Sequence, residues 1–559
     1  MLASRVTGGA PEADPGSSPR LEPDQIERLR RYGRELAVEE GTVLAAAGDP
    51  TYDLVVLLDG RADTIEGRGR ADERLIASFG PSEFLGELGL LTGKRVSLTT
   101  VMRTSGRVLR VPVERVRQVM AQEPELSEII LRAFLLRRGL LLRLGAGLIL
   151  VGSRFDADTR RLLEVLTRNR LPSRWLDLER SAEAETLMRE LDVPTADLPI
   201  IVVPGGPLLR NPSASQLRDA LGLSGLDDGS LHGVCDLLVV GGGPGGLGAA
   251  VYGASEGLET VLVEDTALGG QAGTSMRIEN YLGFPAGLSG AELAARATLQ
   301  AQKFGVRIKL ASRATSLALR NGLHEVTLDD GDPITARALI IATGAHYRRL
   351  PLDRLSEFEG VGVYYAATRV EAQACAGHAV AIVGGGNSAG QAALFLSRAC
   401  STVHLITRSA GLEDSMSRYL IEAIERDPRI VLTRRTHVSR LLGADQLDAI
   451  ELTDARTQRP WTVPARGLFV FIGATPNSGW LGGQLAEDED GFILTGSDIP
   501  LSQRDPAGPP PLTLESSRPG VFCIGDVRSG SVKRVAAAVG EASMAVRLVF
   551  ERLAGTSMA

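Results

Sequence analysis

Residues 236–264 read DLLVVGGGPGGLGAAVYGASEGLETVLVE, and the rest of the chain can be organised around them. Residues 236–240 form an apolar strand pattern. Gly241, Gly243 and Gly246 follow as G-x-G-x-x-G and open an alanine-rich helix. A second strand, 260–263, ends at Glu264. Each part has a physical task. Gly241 permits a tight turn, Gly243 lets a pyrophosphate approach the backbone, and Gly246 lets helix and strand pack closely. The helix N-terminus offers N–H groups and partial positive charge to phosphate. Glu264, at the usual spacing, can accept hydrogen bonds from a ribose diol. A glycine triplet alone is a weak signal, because glycine turns also serve packing. Strand, glycines, helix, strand and acid in this order predict a dinucleotide-binding β-α-β unit.

A second copy lies downstream. Residues 379–383 form a strand, followed by Gly384, Gly386, Asn387, Ser388 and Ala389 at the head of a helix. The next strand, 402–406, ends at Thr407-Arg408 in place of an acid. A basic residue there accepts a 2′-phosphate better than a diol, so NADPH is expected over NADH, with NADH as the alternative.

The segment from about 235 to 554 resembles the low-molecular-weight thioredoxin reductase family of flavoproteins. The residues that carry the resemblance are Gly269-Gly270-Gln271, Ile278-Glu279-Asn280-Tyr281, Gly283-Phe284-Pro285, Ala342-Thr343-Gly344, Gly473-Ala474-Thr475-Pro476 and Gly525-Asp526, beside the two fingerprints. The resemblance implies that FAD is held by Gly241, Gly243, Gly246, Glu264, Gly270, Ala342, Thr343, Gly344 and Gly525. It places Gln271 and Asn280 near the flavin and Asp526 on the ribityl or pyrophosphate portion. Arg534, Val535 and Ala536 would lie at the flavin's far end. It also implies a discontinuous FAD domain (234–347 and 466–559), an inserted NAD(P)H domain (348–465), and a homodimer.

The pattern breaks at its redox centre. A thioredoxin reductase carries a CxxC after the stretch matching Gly362-Val363-Tyr364-Tyr365. Here Ala366, Ala367, Thr368 and Arg369 follow. Alanine holds no redox equivalent and arginine cannot replace a leaving thiol. The only cysteines are Cys235, Cys375, Cys400 and Cys523, and no two have CxxC spacing. Each reads as a small buried hydrophobe. No catalytic side chain stands out; His346, after the Ala342-Thr343-Gly344 turn, is the nearest acid/base candidate but reads as a linker residue.

The N-terminal half divides into smaller units. Residues 1–20 are expected to be a disordered tail. Over 21–144, short β-rich runs and then a helical stretch broken at Pro124 predict an antiparallel β-roll. It resembles a cyclic-nucleotide-binding domain through Gly41, Gly48-Asp49, Asp59-Gly60 and residues 84–88, FLGEL. The resemblance implies a phosphate cassette with Gly86 and Glu87, Glu87 toward the ribose 2′-hydroxyl, and Arg95 with Ser97 toward the cyclic phosphate. Val96 and Leu98 are bulkier than such a cassette favours. Residues 145–223 follow a β-α-β-α-β-(β)-α order and resemble a thioredoxin-like fold, with Leu198-Pro199-Ile200 at the cis-proline position. Its redox position, 152–156, reads GSRFD and carries no thiol, so docking or scaffolding is expected of it. A Gly/Asp/Ser-rich linker spans 224–233.

The fold class expected is therefore multidomain: a β-roll, a thioredoxin-like α/β unit, and two Rossmann-like domains. A hydrophobic share of 44% over 559 residues is enough to build such cores without disulfides. The formal charge of -7 argues against nucleic acid as partner. The first residues have no apolar stretch like a signal peptide. The apolar run 133–151 is interrupted by Arg137, Arg138 and Arg143, so a membrane span is not expected. A cytoplasmic protein without a metal site follows. The expected activity is FAD-dependent oxidation of NAD(P)H with delivery of electrons to an unidentified acceptor, under possible control by the N-terminal domain. Two alternatives are a thiol/disulfide reductase that uses a partner's thiols and a non-enzymatic flavin and nucleotide sensor.

Overall fold

The computed structural model describes residues 15–556, apart from 51, 70–72, 93–94, 222–232, 276–277, 279, 360–361, 366, 368, 445 and 505–508. Most of the predicted tail and linker, and Ala366, thus lie outside the described residues. The part of the tail that is described is packed. Ser17 is buried, and its carbonyl accepts a 2.7 Å bond from Arg137 Nε. The expectation of disorder through residue 20 is corrected accordingly.

The N-terminal roll consists of two four-stranded antiparallel sheets. One runs Arg34–Val38, Gly106–Val111, Leu54–Leu57, Phe84–Leu85; the other Val43–Ala45, Thr99–Met102, Ala62–Glu66, Arg74–Phe79. Leu44, Val55, Leu57, Phe79, Leu85, Met102 and Val108 fill the space between them. Helices Val113–Gln122 and Pro124–Leu144 follow, with Pro124 at the first position of the second, where its missing N–H costs nothing. Arg137 on that helix is buried. It bonds the carbonyls of Ser17, Gly86 and Phe84 and lies 4.8 Å from the Phe84 ring centroid. Burial pushes its pKa down to about 10, which still leaves it charged at neutral pH.

The middle unit is a four-stranded sheet in the order Ser173–Asp177, Leu148–Gly152, Ile200–Val202, Leu208–Arg210. The first pair is parallel and the others antiparallel. Side chains alternate along the central strand, as the two-residue period requires. Leu148 and Leu150 meet Leu162, Leu166 and Leu217 on one face. Ile149 and Val151 meet Ala184 and Met188 on the other. Asp156, Ser181 and Ser213 cap the three helices through their side chains. The Leu198–Pro199 peptide is cis.

The large C-terminal part has two main sheets, besides a two-stranded crossover and, in the insert, an antiparallel ribbon of Thr436–Leu442, Ala449–Asp454 and Pro460–Pro464. In the first, Arg307–Leu310, Thr260–Glu264, Val234–Val240, Pro333–Ile341 and Val521–Cys523 are parallel, and Leu323–Leu328 with Ala314–Arg320 extends it antiparallel. Helices Pro244–Ser255 and Val535–Thr556 pack together on it, brought close where a Cβ on Gly248 would lie 3.2 Å from that of Ala542. The inserted sheet is parallel, in the order Val363–Tyr364, Gly467–Val470, Ala379–Val383, Thr402–Ile406, Ile430–Thr433. Gly467–Val470 belongs to this insert, so the boundary predicted at 466 falls too early. The chain crosses between the two parts through the paired strands Ala345–Tyr347 and Ala474–Pro476. No helix among the described residues is long and apolar enough to cross a membrane.

Candidate functional site

The first fingerprint sits at the C-terminal edge of the parallel sheet, where ligands of such folds bind. Gly241 has φ 108°, and a Cβ there would lie 2.4 Å from Ala342 O. A Cβ on Gly246 would lie 1.7 Å from Gly241 O, so the helix can meet the loop only without one. Gly243 differs: its φ is -69°, and the nearest heavy atom to a Cβ would be 3.9 Å away. It borders a cavity of about 2190 Å3, roughly twice the upper end of the ~300–1,000 Å3 typical of small-ligand sites. The dimensions suit an extended dinucleotide with room for a second ligand.

Gly241, Gly243, Glu264, Gly270, Gln271, Ala342, Thr343, Gly344, Gly525, Asp526, Arg534 and Val535 all line this cavity. Gly246 stands just behind it. Asn280 and Ala536 are exposed and are not among its lining residues. Glu264 accepts from Gly242 N at 2.6 Å, Thr266 N at 2.8 Å and Ala267 N at 3.1 Å. Burial nevertheless holds its carboxyl above the usual range. The hydrogen bonds fix its orientation at the end of the strand: Oε1 accepts two of them and Oε2 one, so a lone pair of Oε2 stays available to a hydroxyl donor.

At the other end the structure adds residues that carry no motif. His346 lies on the crossover strand Ala345–Tyr347, where it also borders the cavity, and its Nδ1 lies 3.3 Å from Gln271 Nε2. Tyr347 donates to Asp526 Oδ2 at 3.4 Å and stacks on Tyr365 with ring centroids 5.6 Å apart. Tyr365 in turn donates to Glu359 Oε1 at 2.7 Å. Burial pushes Asp526 upward, opposed by the nearby Lys533 ammonium and the Tyr347 hydroxyl. Lys533 Nζ donates to Asp526 O at 3.2 Å and lies 4.5 Å from the Phe492 ring centroid. Asn477 and Thr343 exchange side-chain-to-backbone bonds of 2.8 Å across the crossover. Sequence reading passed over Tyr347, Tyr365 and Lys533 because each is brought in by a separate strand or loop; only the paired crossover strands hint at their meeting.

The second fingerprint, Gly384 to Ala389, heads the helix Asn387–Leu396 on the inserted sheet and does not line the main cavity. Gly384 has φ 153°, and a Cβ there would lie 2.4 Å from Phe471 O. Asn387 Oδ1 accepts from Ser417 N at 2.7 Å, and Ser415 Oγ donates to Gly385 O at 2.9 Å. Ser388 is exposed, while Ala389 is buried. Arg408 is exposed at the end of its strand.

Tyr364, Tyr365, Glu371, Gln373 and Ala374, which flank the stretch matching a reductase dithiol in sequence, face the main cavity. Of that segment, Arg369 opens the short helix Arg369–Ala374. All four cysteines are free and buried. Burial pushes the Cys375 and Cys235 thiols up to about 12, and Cys400 and Cys523 upward as well. A thiol held protonated in this way is a poor nucleophile.

The N-terminal cassette is engaged by its own chain. Gly86 has φ 131° and faces Phe134, whose Cζ would lie 3.0 Å from a Cβ. Glu87 is paired with Arg138 at 3.6 Å, and its backbone N–H donates to Tyr52 Oη. Arg95 donates to Gly48 O at 3.2 Å. Leu98 packs with Ile76, Leu141 and Ala146, and Val96 is buried; Ser97 between them is half-buried.

The sequence profile of the pyridine nucleotide-disulphide oxidoreductase family matches residues 235–542, and that of the cyclic nucleotide-binding domain matches 35–123. A thioredoxin reductase of Escherichia coli O157:H7 is 35% identical over 319 residues, which are 55% of this chain and 93% of that protein. A thioredoxin reductase of Treponema pallidum (strain Nichols) is 30% identical over 56% of this chain and 94% of its own length. An alkyl hydroperoxide reductase component of Pseudomonas putida is 31% identical; the match spans 58% of this chain and 59% of that protein. Among solved structures, thioredoxin reductase from Streptococcus pyogenes MGAS5005 superposes with a TM-score of 0.51 at 27% identity, covering 58% of this chain and 99% of that one. Use of a flavin and a nicotinamide nucleotide goes with this family. The chain therefore belongs to the pyridine nucleotide-disulphide oxidoreductase family, with a cyclic nucleotide-binding domain ahead of the oxidoreductase core.

Proposed function

We propose that this protein oxidises NADPH through bound FAD and delivers the electrons to an acceptor other than a dithiol of its own. The observation that carries the reading is the main cavity, which runs from Gly243 and Glu264 to Asp526, combined with four cysteines that are all buried, burial pushing each thiol upward. Bound flavin supplies two-electron acceptance from nicotinamide. The chain's own residues bind and orient. Gly243 would leave space for the pyrophosphate, Glu264 would offer Oε2 to the ribose, and Asp526 would serve the hydroxyl-bearing middle of the dinucleotide. Lys533 places a positive charge beside Asp526, and the Tyr347–Tyr365 stack walls the cavity near the crossover.

The NADPH preference rests on Arg408, exposed where an acid would read a diol. The middle unit, which we read as thioredoxin-like from its order of strands and helices, has no thiol to relay electrons. The thioredoxin reductases among the relatives share the core, but the CxxC spacing is missing from this sequence. We further read the protein as a cytoplasmic homodimer whose N-terminal domain tunes the core.

The test is a spectrum of the purified protein before and after NADPH, then with a panel of acceptors. The flavin band should bleach and should return with a small iron–sulfur protein or a quinone, and not with oxidised thioredoxins. A colourless protein that stays colourless after FAD is added would overturn the reading.

A further inference from the structure

The middle unit lacks thiols, yet it is docked at one end of the main cavity, and two separate contacts hold it there. Asn169 Nδ2 donates to Thr266 O at 3.0 Å, two residues beyond Glu264. Nearby, the buried Arg218 donates to Ser312 Oγ at 2.7 Å and to Ala311 O at 3.0 Å, just past the strand Arg307–Leu310, and Ser312 N donates to Glu264 O at 3.1 Å. Thr266, Ser312, Asn169 and Arg170 all border the cavity. The unit thus roofs the end marked by Glu264, where the ribose of a dinucleotide is read.

Arg170 is the unusual residue of this roof. Helix Ala157–Arg168 closes with bonds from Arg170 N to Thr167 O at 3.0 Å and from Leu171 N to Leu166 O at 2.9 Å. The left-handed residue of such a closure is usually glycine. Here it is Arg170, with φ 48°. Strain of this kind persists where the surroundings require it, and it concentrates at ligand sites. The Arg170 side chain is half-buried at the cavity wall. Its carbonyl is gripped by Arg138 Nη2 at 2.6 Å, so two cations stand together there. Burial, and then the Arg138 charge, press Arg170 below its ordinary pKa, while the Glu292 carboxylate acts the other way.

We propose that Asn169 and Arg170 are cofactor-binding residues: the thiol-free unit closes the adenosine end of the flavin dinucleotide site, with the Arg170 guanidinium against the adenine face. Guanidinium groups stack well on aromatic faces, and an adenine offers such a face. The family profile begins at residue 235, so this contribution comes from outside the shared core. The inference rests on the FAD reading above and gives a unit without redox chemistry a task of its own.

The test is Arg170→Gly, titrated as apoprotein with FAD and, separately, with FMN, which lacks the adenosine half; flavin fluorescence is the readout. Glycine suits the left-handed backbone, so the fold is retained while the side chain is lost. The FAD dissociation constant should rise about tenfold, or about 1.4 kcal/mol, with that for FMN unchanged. Asn169→Ala, which cuts the tether to Thr266, should speed FAD release several-fold. An Arg170→Gly protein that binds FAD within twofold of wild type overturns the proposal, as does equal weakening of FAD and FMN. Wild-type protein that binds neither flavin overturns the FAD reading itself and this one with it.

Discussion

Gly243 and Gly246 stand three residues apart in one loop, yet alanine at each should act through a different term. At Gly246 the new Cβ would lie 1.7 Å from Gly241 O and 2.9 Å from its carbonyl carbon, both backbone atoms of the turn that starts the fingerprint. Helix Pro244–Ser255 would have to move off the sheet, against Leu247, Ala250 and Val251 in the core. Overpacking costs ~1–3 kcal/mol, and a clash with backbone belongs at the upper end. At Gly243 the backbone is ordinary and the nearest heavy atom would be 3.9 Å from the Cβ, so the fold should change by less than ~1 kcal/mol. That Cβ would instead occupy space at the cavity wall. If the same ~1–3 kcal/mol falls on the ligand, FAD affinity drops roughly 5- to 150-fold. The assay is urea unfolding of both apoproteins beside FAD titration of each. Gly243→Ala with wild-type FAD affinity, or Gly246→Ala with wild-type stability, would refute this division of roles.

Three further outcomes are expected. Arg408→Ala should raise KM for NADPH about tenfold with little effect on NADH, read from steady-state rates; equal wild-type constants for the two nucleotides would remove the preference. Cyclic AMP or cyclic GMP should bind the N-terminal domain with heat that calorimetry loses in Arg95→Ala, and binding must compete with the Glu87–Arg138 pair; no heat at millimolar ligand would leave the roll as a docking module. His324 is buried beside Gly520, and burial pushes its pKa down to about 4. The unfolded chain takes up its proton first, so stability from this group is complete above about pH 6.5 and falls as pH drops toward 4, by up to about 3 kcal/mol. His324→Gln should flatten that limb of a stability–pH curve, and an unchanged limb would contradict the assignment.

Both nucleotide sheets are legible in the sequence because their signals are local. An apolar run, a glycine turn and a helix head within one short segment leave little freedom, and the two copies reinforce each other. The N-terminal roll is less legible. Strand Arg34–Val38 has four exposed positions in a row, so it shows no alternation, and Phe84–Leu85 is too short for a period to be seen. The insert's last strand, Gly467–Val470, follows an antiparallel ribbon, and nothing local says that it returns to the first sheet of the insert. The site divides in the same way. Residues read from backbone demands, such as Gly241 and Glu264, are found by spacing alone. Tyr347, Tyr365, Lys533, Asn169 and Arg170 owe their places to contacts between elements far apart in the chain, and no spacing encodes those. The buried Arg137 and Arg138 rightly interrupt the apolar run, but their partners, three carbonyls for one and Glu87 with Arg170 O for the other, are visible only in three dimensions.

The central claim is that the flavin is the sole redox centre on the chain, and an anaerobic titration with NADPH, followed at the flavin band, tests it most directly. A flavin alone takes up one hydride equivalent, whereas a flavin coupled to a dithiol takes up two before the endpoint. Full bleaching is expected at one NADPH per flavin, in wild type and in Cys375→Ser alike. An endpoint at two, reduced to one by Cys375→Ser, would show that a buried cysteine takes part in electron transfer and would contradict the claim.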